Sequence, residues 1–300
     1  MTARILDGKA LAERLRGEMR EETAALAREG VTPRIDLVRV GEDPASVLYV
    51  KTKARTSEEL GIASRVHVVD PAAGQAHLER LLDTLNGDPT VHGILLQLPL
   101  PEGYDAETLL TQIDPDKDVD GFHPVNVGRL CLGIPGFVPC TPLGIQVLLH
   151  EYGFPVRGRL VAILGRSAVV GRSLANLLSQ RGPRADATVI LCHTRTERLP
   201  EILRQADVVV AAAGHAGAVH GSMLKPGAVV VDVGTNRIPD ATAKSGSRLV
   251  GDVDFASAVE VAGAITPVPG GVGPMTVAML MRNTITAARR AHARRSGACG

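Results

Sequence analysis

The chain has 300 residues, 45% hydrophobic and 22% charged. This composition excludes a disordered chain and suggests about two domains at roughly 150 residues each. Its 33 Lys plus Arg nearly balance 32 Asp plus Glu, for a formal charge of +1, which argues against a dedicated nucleic-acid binder. No apolar run reaches the roughly 18 residues of a membrane helix and no secretory leader is visible, so a cytoplasmic protein is expected. Cys131, Cys140, Cys192 and Cys299 form no C-x-x-C pair, which speaks against a disulfide framework or a thiolate zinc site, and no metal is expected.

The elements read in chain order as follows. Residues 8–29 carry apolar positions at helical spacing and stop at Gly30. RIDLVRV (34–40) reads as a strand. Asp43-Pro44 opens a helix, as an N-cap followed by Pro in the first turn, and Gly61 closes it. A strand at 65–69 and a helix at 75–86 follow, then the apolar run 91–100, closed by Pro99 and Pro101 as for a buried parallel strand. Residues 114–142 read as one long loop, of the length that often carries function. A helix at 143–151 has Thr141 as its expected cap and Pro142 at its first position. A second α/β series has strands at 159–165, 187–192, 207–214 and 228–234, with a last strand at 249–252 or 264–268 and a final helix over 275–295. Alternation of this kind implies α/β domains with parallel sheets covered on both faces.

Strand 159–165 runs into Gly165-Arg166-Ser167 and Gly171 before a helix. Such a turn aims backbone N–H groups at an anion, although G-x5-G is not the G-x-G-x-x-G fingerprint and a plain tight turn is the competing reading. After the next strand, CHTRT (192–196) has no acid to bind a ribose hydroxyl. Arg195, backed by Arg166, suits a 2′-phosphate and hence NADP, against the alternative of a solvated surface arginine.

Tyr49 and Lys53 are four residues apart and share a helical face. Tyr hydroxyl and Lys amine together form a plausible proton-transfer pair, since a desolvated Lys gives up its proton more readily; a solvated basic face is the alternative. Gln97 ends an apolar strand and needs a partner there, because a buried unsatisfied amide costs about 1–3 kcal/mol. Asp118 and Asp120 precede Gly121. Without a third acid at calcium-loop spacing, a carboxylate that accepts N–H bonds from a heterocycle suits Asp120 better than a metal loop does. TPVPGGVGPMT (266–276) reads either as a plain connection or as a backbone wall that can approach a flat ligand closely.

Seven segments occur in order: VGEDPAS-x-x-YV-x-x-K, GILLQLPLP, DKDVDGFHP-x-NVGRL, PCTPLG, GRS-x-x-VG, KPGAVVVDVG and PVPGGVGPMTVAML. With these the chain closely resembles the bifunctional methylenetetrahydrofolate dehydrogenase/methenyltetrahydrofolate cyclohydrolase family of the FolD type, over about residues 5 to 290. The resemblance implies an α/β fold of two domains around a cleft. Residues 1–141 with the final helix, 274–300, would be the folate domain, and 142–273 a Rossmann-like doubly wound NADP domain. It implies a homodimer joined through the Rossmann domains, and NADP-dependent oxidation of methylenetetrahydrofolate followed by hydrolysis to 10-formyltetrahydrofolate, in one-carbon metabolism and purine biosynthesis.

In that resemblance Lys53 is the acid/base group of hydrolysis, Tyr49 stacks on the folate, Gln97 tunes Lys53 and Asp120 binds the pterin. Leu98, Pro269, Gly270 and Gly271 join the substrate set. Gly165, Arg166, Ser167 and Gly171 match the cofactor turn, with Thr194, Arg195 and Thr235 also on the cofactor. Departures from the family pattern fall on the cofactor side: Ser173 replaces a usual Pro, Ala216 a Pro, Thr235 an Ile and Thr194 a Ser. The competing readings are a dehydrogenase of similar shape acting on a shikimate- or amino-acid-like compound, and a nucleotide-binding scaffold without catalysis.

Overall fold

A computed structural model describes residues 2–240 and 246–297. In chain order the elements are β1 (Arg4–Ile5), α1 (Gly8–Arg28), β2 (Arg34–Val40), α2 (Pro44–Glu59), β3 (Ala63–Val69), α3 (Gln75–Gly87), β4 (Gly93–Leu96), α4 (Ala106–Gln112), α5 (Pro124–Leu132), α6 (Cys140–Glu151), β5 (Leu160–Leu164), α7 (Ser173–Ser179), β6 (Thr188–Cys192), α8 (Leu199–Leu203), β7 (Val208–Ala211), β8 (Val229–Asp232), β9 (Asn236–Pro239), β10 (Ser247–Val250), α9 (Phe255–Ala258), β11 (Ala264–Ile265) and α10 (Val272–Arg295). They form two compact units, one of residues 14–138 with 277 onward, the other of residues up to 13 with 139–276. Cys299 and the end of the expected 274–300 helix lie outside the described residues.

In the first unit β3, β2 and β4 form a parallel sheet in that order. All four residues of β4 are buried, as expected for a strand covered on both faces. Its core joins Val38, Ile94 and Leu96 of the sheet to Leu78, Leu82 and Leu85 of α3 and Leu109 of α4. Asp43 caps α2 as expected, its carboxylate accepting from the Ser46 N–H at 2.8 Å. The expected loop at 114–142 is corrected: it contains α5. His123 Nδ1 accepts from the Val125 N–H at 3.0 Å, Pro124 takes the first helical position, and left-handed Gly133 ends the helix. All of α10 but its first five residues belongs here, with Asn283 donating to the carbonyls of Val119 (2.8 Å) and Val138 (3.2 Å).

The second unit has a six-stranded parallel sheet in the order β1-β11-β8-β7-β5-β6. After β5 the chain goes to one side as β6 and then to the other as β7, so the end of β5 is the switch point of a doubly wound sheet. Residues 1–13, expected in the first domain, instead belong here. β1 pairs with β11, and the Leu6 N–H reaches the Ile265 carbonyl at 2.8 Å with Leu6 fully buried. Both expected positions for the last strand are strands. Residues 264–265 join the sheet as β11, whereas β10 makes an antiparallel hairpin with β9. Thr141 does not cap α6. The N-cap is Pro139, whose apolar ring has no acceptor to offer, and the Thr141 hydroxyl lies 3.0 Å from that of Thr276.

Candidate active site

The amine of Lys53 donates to Oε1 of Gln97 at 3.0 Å. Gln97 directly follows β4, and its own amide N–H donates to the Leu98 carbonyl at 2.6 Å. The buried amide is therefore satisfied at both ends, and its oxygen is fixed toward α2. That helix is anchored through Ser57, which donates to the Lys53 carbonyl at 2.9 Å and lies 3.2 Å from the sulfur of Met281. One turn before Lys53, the Tyr49 ring is 49% exposed, presenting a flat face on the same side of α2.

The segment carrying Asp118 and Asp120 lies beside β4, where the Ile94 N–H donates to the Lys117 carbonyl at 2.8 Å and Ile94 bridges to Asp118 in parallel. Gly93 permits this approach, since a Cβ there would sit 2.8 Å from Val119. Asp118 holds no metal-loop geometry. Its buried carboxylate accepts from the backbone N–H groups of Gly121, Phe122 and His123 at 3.1, 3.2 and 2.8 Å, and from Asn126 at 2.9 Å. Two residues on, Asp120 is half-buried. Lys53 on α2, Gln97 directly after β4 and Asp120 just past the segment beside β4 thus belong to one unit. Among the described residues no group of three or more His, Cys, Asp or Glu is arranged to hold a metal ion.

In the other unit, Gly165 and Gly171 form the turn after β5. A Cβ on Gly165 would meet the Ala212 carbonyl oxygen at 2.0 Å, and one on Gly171 would meet the Gly165 oxygen at 1.9 Å. Glycine is required at both ends by packing, which accounts for the G-x5-G spacing. Ser167 caps the turn by accepting from the Val170 N–H at 3.2 Å, and residues 168–172 make a wide π-turn before α7. Ser173 donates to the Ala168 carbonyl at 2.5 Å. Beside it, β6 ends in a tight turn in which Arg195 N–H donates to His193 Nδ1 at 3.1 Å. Leu164 and Cys192 are register partners, so Arg166 and Arg195 leave neighbouring strand ends. Both are exposed and no carboxylate among the described residues pairs with either. Two uncompensated guanidinium groups beside a glycine cradle fit a phosphorylated dinucleotide. Thr194 is exposed in the same turn, and Thr235 is exposed just beyond β8.

Sequence reasoning missed the carboxylates that hold this end of the sheet. Asp232, at the end of β8, accepts from the N–H groups of Gly234, Asp252 and Val253 at 3.0, 2.8 and 3.0 Å. Burial nevertheless pushes its pKa up to about 6, with the nearby charge of Asp252 adding to the rise. Asp252 in turn accepts from the Gly214 N–H and the Asn236 amide, both at 2.8 Å. The signal was a glycine beside each acid, in DVG and GDVD. A Cβ on Gly251 would lie 1.7 Å from Asp232, and one on Gly234 2.3 Å from Asp252. Gly270 and Gly271 also have a packing reason. Gly270 has a φ of +110°, which favours glycine, and a Cβ on Gly271 would lie 2.6 Å from the Pro267 oxygen. Pro269 is exposed beside them.

The two halves of the chain match two family models, described as the catalytic domain (residues 6–120) and the NAD(P)-binding domain (residues 139–292) of tetrahydrofolate dehydrogenase/cyclohydrolase. The chain belongs to the tetrahydrofolate dehydrogenase/cyclohydrolase family. It is 50% identical over 290 residues to the bifunctional protein FolD of Moorella thermoacetica, covering 97% of this chain and 100% of that one. Among solved structures, the bifunctional FolD enzyme of Campylobacter jejuni aligns with a TM-score of 0.90 at 45% identity, over 95% of this chain and 98% of that one. The Trypanosoma brucei FolD, solved with NADP cofactor and inhibitor, aligns with a TM-score of 0.91 at 39% identity, over 97% and 98%. Family membership decides against the shikimate-type alternative. The protein is an α/β enzyme, an oxidoreductase and hydrolase of tetrahydrofolate one-carbon chemistry with an NAD(P)-binding domain. No described helix is long and apolar enough to cross a membrane.

Proposed function

We propose that the protein oxidises 5,10-methylenetetrahydrofolate to the methenyl compound with NADP, then hydrolyses that product to 10-formyltetrahydrofolate. The observation that carries this reading is the 3.0 Å bond from Lys53 to Gln97. A neutral amide fixes the amine's position and leaves its other N–H directions for a substrate or water. When bound, NADP supplies the acceptor for the hydride that leaves the methylene carbon. Gly165, Ser167 and Gly171 cradle its phosphates, Arg166 and Arg195 take the 2′-phosphate, and Thr194 and Thr235 flank the ribose phosphate and the nicotinamide half. Tyr49 lays its ring against the folate, Asp120 accepts N–H bonds from the pterin, and Leu98 lines the same strand end. This step needs alignment more than an acid, because developing positive charge is stabilised by the substrate's own nitrogens.

Hydrolysis needs proton transfer. As water oxygen bonds to the amidinium carbon, Lys53 Nζ takes one of its protons. The amine then gives that proton to the ring nitrogen as the C–N bond breaks. The remaining hydroxyl proton leaves to solvent as the formyl carbonyl forms, which balances the lost cationic charge. Mixing the protein with methylenetetrahydrofolate and NADP is expected to give a transient methenyl absorbance that decays. In Lys53→Met the absorbance accumulates without decay. A folded Lys53→Met protein that loses both activities equally removes the role.

The same reading makes the unit of residues 14–138 with 277 onward the folate domain and the unit of residues up to 13 with 139–276 the NADP domain, in a cytoplasmic homodimer that feeds purine biosynthesis. That Cys131, Cys140 and Cys192 are not joined in disulfides supports a reducing compartment. The edge position of β6, with Leu191 38% exposed, supports pairing through the NADP domain. Sedimentation of Leu191→Glu as a monomer is the expected result; an unchanged sedimentation coefficient removes that interface.

A further inference from the structure

Away from Lys53, the same unit contains a second cationic cavity. It has a volume of about 250 Å³ and is walled on one side by the residues leading into β4 and the 114–117 turn, on the other by the last turns of α10. We propose that this cavity binds a phosphate-class dianion, either inorganic phosphate or a phosphomonoester, through His92, Arg290 and Arg295.

His92 offers the cavity an unmet hydrogen-bond donor. It is 5% exposed and lines the cavity. Its Nδ1 accepts from the Arg34 N–H at 3.2 Å. The ring proton therefore sits on Nε2, a buried donor without a hydrogen-bond partner. A buried unpartnered donor is costly unless something accepts from it. The ring is also kept neutral, with its pKa pushed down to about 4 by burial and by the positive charges of Arg295, Lys117 and Arg34. It is a fixed donor across the physiological range.

The cavity also carries excess positive charge. The cavity is lined by Lys117, Arg290, Arg294 and Arg295 against Asp114 and Asp116, so two positive charges are in excess. Asp116 is already occupied, bonded to Arg294 at 2.7 Å. The Lys117 amine is occupied too, donating to the carbonyls of Leu85, Asn86 and Asp88. Arg290 instead stacks over Phe137, 4.8 Å from the ring centre, and Arg295 reaches only the Pro89 carbonyl at 3.5 Å. Among the described residues neither is bonded to a carboxylate. Two guanidinium forks with free N–H groups beside a neutral N–H donor match a tetrahedral dianion, which accepts several charge-assisted bonds and cancels the excess.

The test uses the whole protein with NADP at saturation, so that the cofactor's phosphate sites are filled. Inorganic phosphate is titrated at constant ionic strength while the histidine ring nitrogens are followed by NMR. The His92 signals are identified by their loss in His92→Asn, a change that keeps an acceptor for the Arg34 N–H and removes the longer-reaching Nε2 donor. A saturable shift of the His92 Nε2 signal is expected. Arg290→Gln and Arg295→Gln should each weaken it at least about ten-fold, the size of one charge-assisted bond. Phosphoserine binding tighter than phosphate assigns the site to a phosphomonoester, and the reverse order to free phosphate. No saturable shift, an affinity unchanged in both arginine variants, or tighter binding of acetate than phosphate overturns the proposal. Should His92→Asn prove unstable, the two arginine variants and the ring signal still decide the outcome.

Discussion

Lys117 and Lys53 belong to the same α/β unit and meet very different surroundings. Lys117 gives all three N–H donors to backbone carbonyls, of Leu85 at 3.0 Å and of Asn86 and Asp88 at 2.7 Å, at the C-terminal end of α3, where unpaired carbonyls collect. Burial lowers its pKa, and Asp114, Asp88 and Asp36 oppose that. Lys53 has one bond, to a neutral amide on another element. A saturated ammonium ties down a loop and has nothing left for a substrate. An amine held at one point keeps its remaining directions for chemistry. On the proposed reading, the count of bonds, more than burial, separates the structural lysine from the reactive one.

The largest effect that can break this comparison is on hydrolysis. Lys53→Met should lower cyclohydrolase turnover by about 10²–10⁴-fold, the usual contribution of a positioned acid/base group, with hydride transfer still measurable. Retained decay of the methenyl absorbance would place the acid/base group elsewhere. Next, Arg195→Ala should raise the KM for NADP about ten- to hundred-fold, as expected for one charge-assisted phosphate contact, and leave the KM for NAD unchanged. An unaltered NADP/NAD preference takes Arg195 off the 2′-phosphate. Lys117→Met should cost roughly 2–3 kcal/mol of stability by orphaning three carbonyls, seen as a lower Tm with the ratio of the two activities unchanged; a shift in that ratio would blur the distinction between the two lysines.

The smallest effect is a pH slope that the two units pull in opposite directions. The neutral His92 ring has its folded pKa pushed down to about 4 from the ordinary histidine value of about 6.5. The unfolded chain then binds more protons in that window, and stability is lost as pH falls from about 6.5 through about 4. Asp232 is raised to about 6, so its share of stability is present at low pH and is lost as pH rises from about 4 through about 6. His92→Asn should therefore flatten the fall of Tm on acidification in phosphate-free buffer. An unchanged acid slope would show that His92 is not shielded from water as described.

Much of this fold was legible because parallel strands in a buried sheet are short apolar runs with clear stops, as in VVVA and VVVD of β7 and β8. The Lys53–Gln97 pair was legible for a different reason. An amide in an apolar strand end demands a partner, and helical spacing put a lysine on the face beside Tyr49. Where the reading fell short, the cause was tertiary. α5 was hidden by Pro, Gly and Asn around a cap made by a histidine rather than by Ser or Asp. Thr141 looked like a cap, but its hydroxyl turned to Thr276. β1 is only two residues long and becomes a strand only because β11 lies beside it. The role of Asp118 was not assigned from sequence, because its oxygens serve only the turn that follows it.

The division of α10 has a consequence for synthesis. Residues 14–138 are translated early, yet the carbonyls of Val119 and Val138 receive their Asn283 donor, and Glu22 its Arg282 and Arg289 partners, only from the last helix of the chain. On the ribosome the stretch that emerges first must wait, incomplete, for the one that emerges last. A nascent chain stalled before residue 277 should consequently be open to protease within its earliest-made helices, while one released at full length resists.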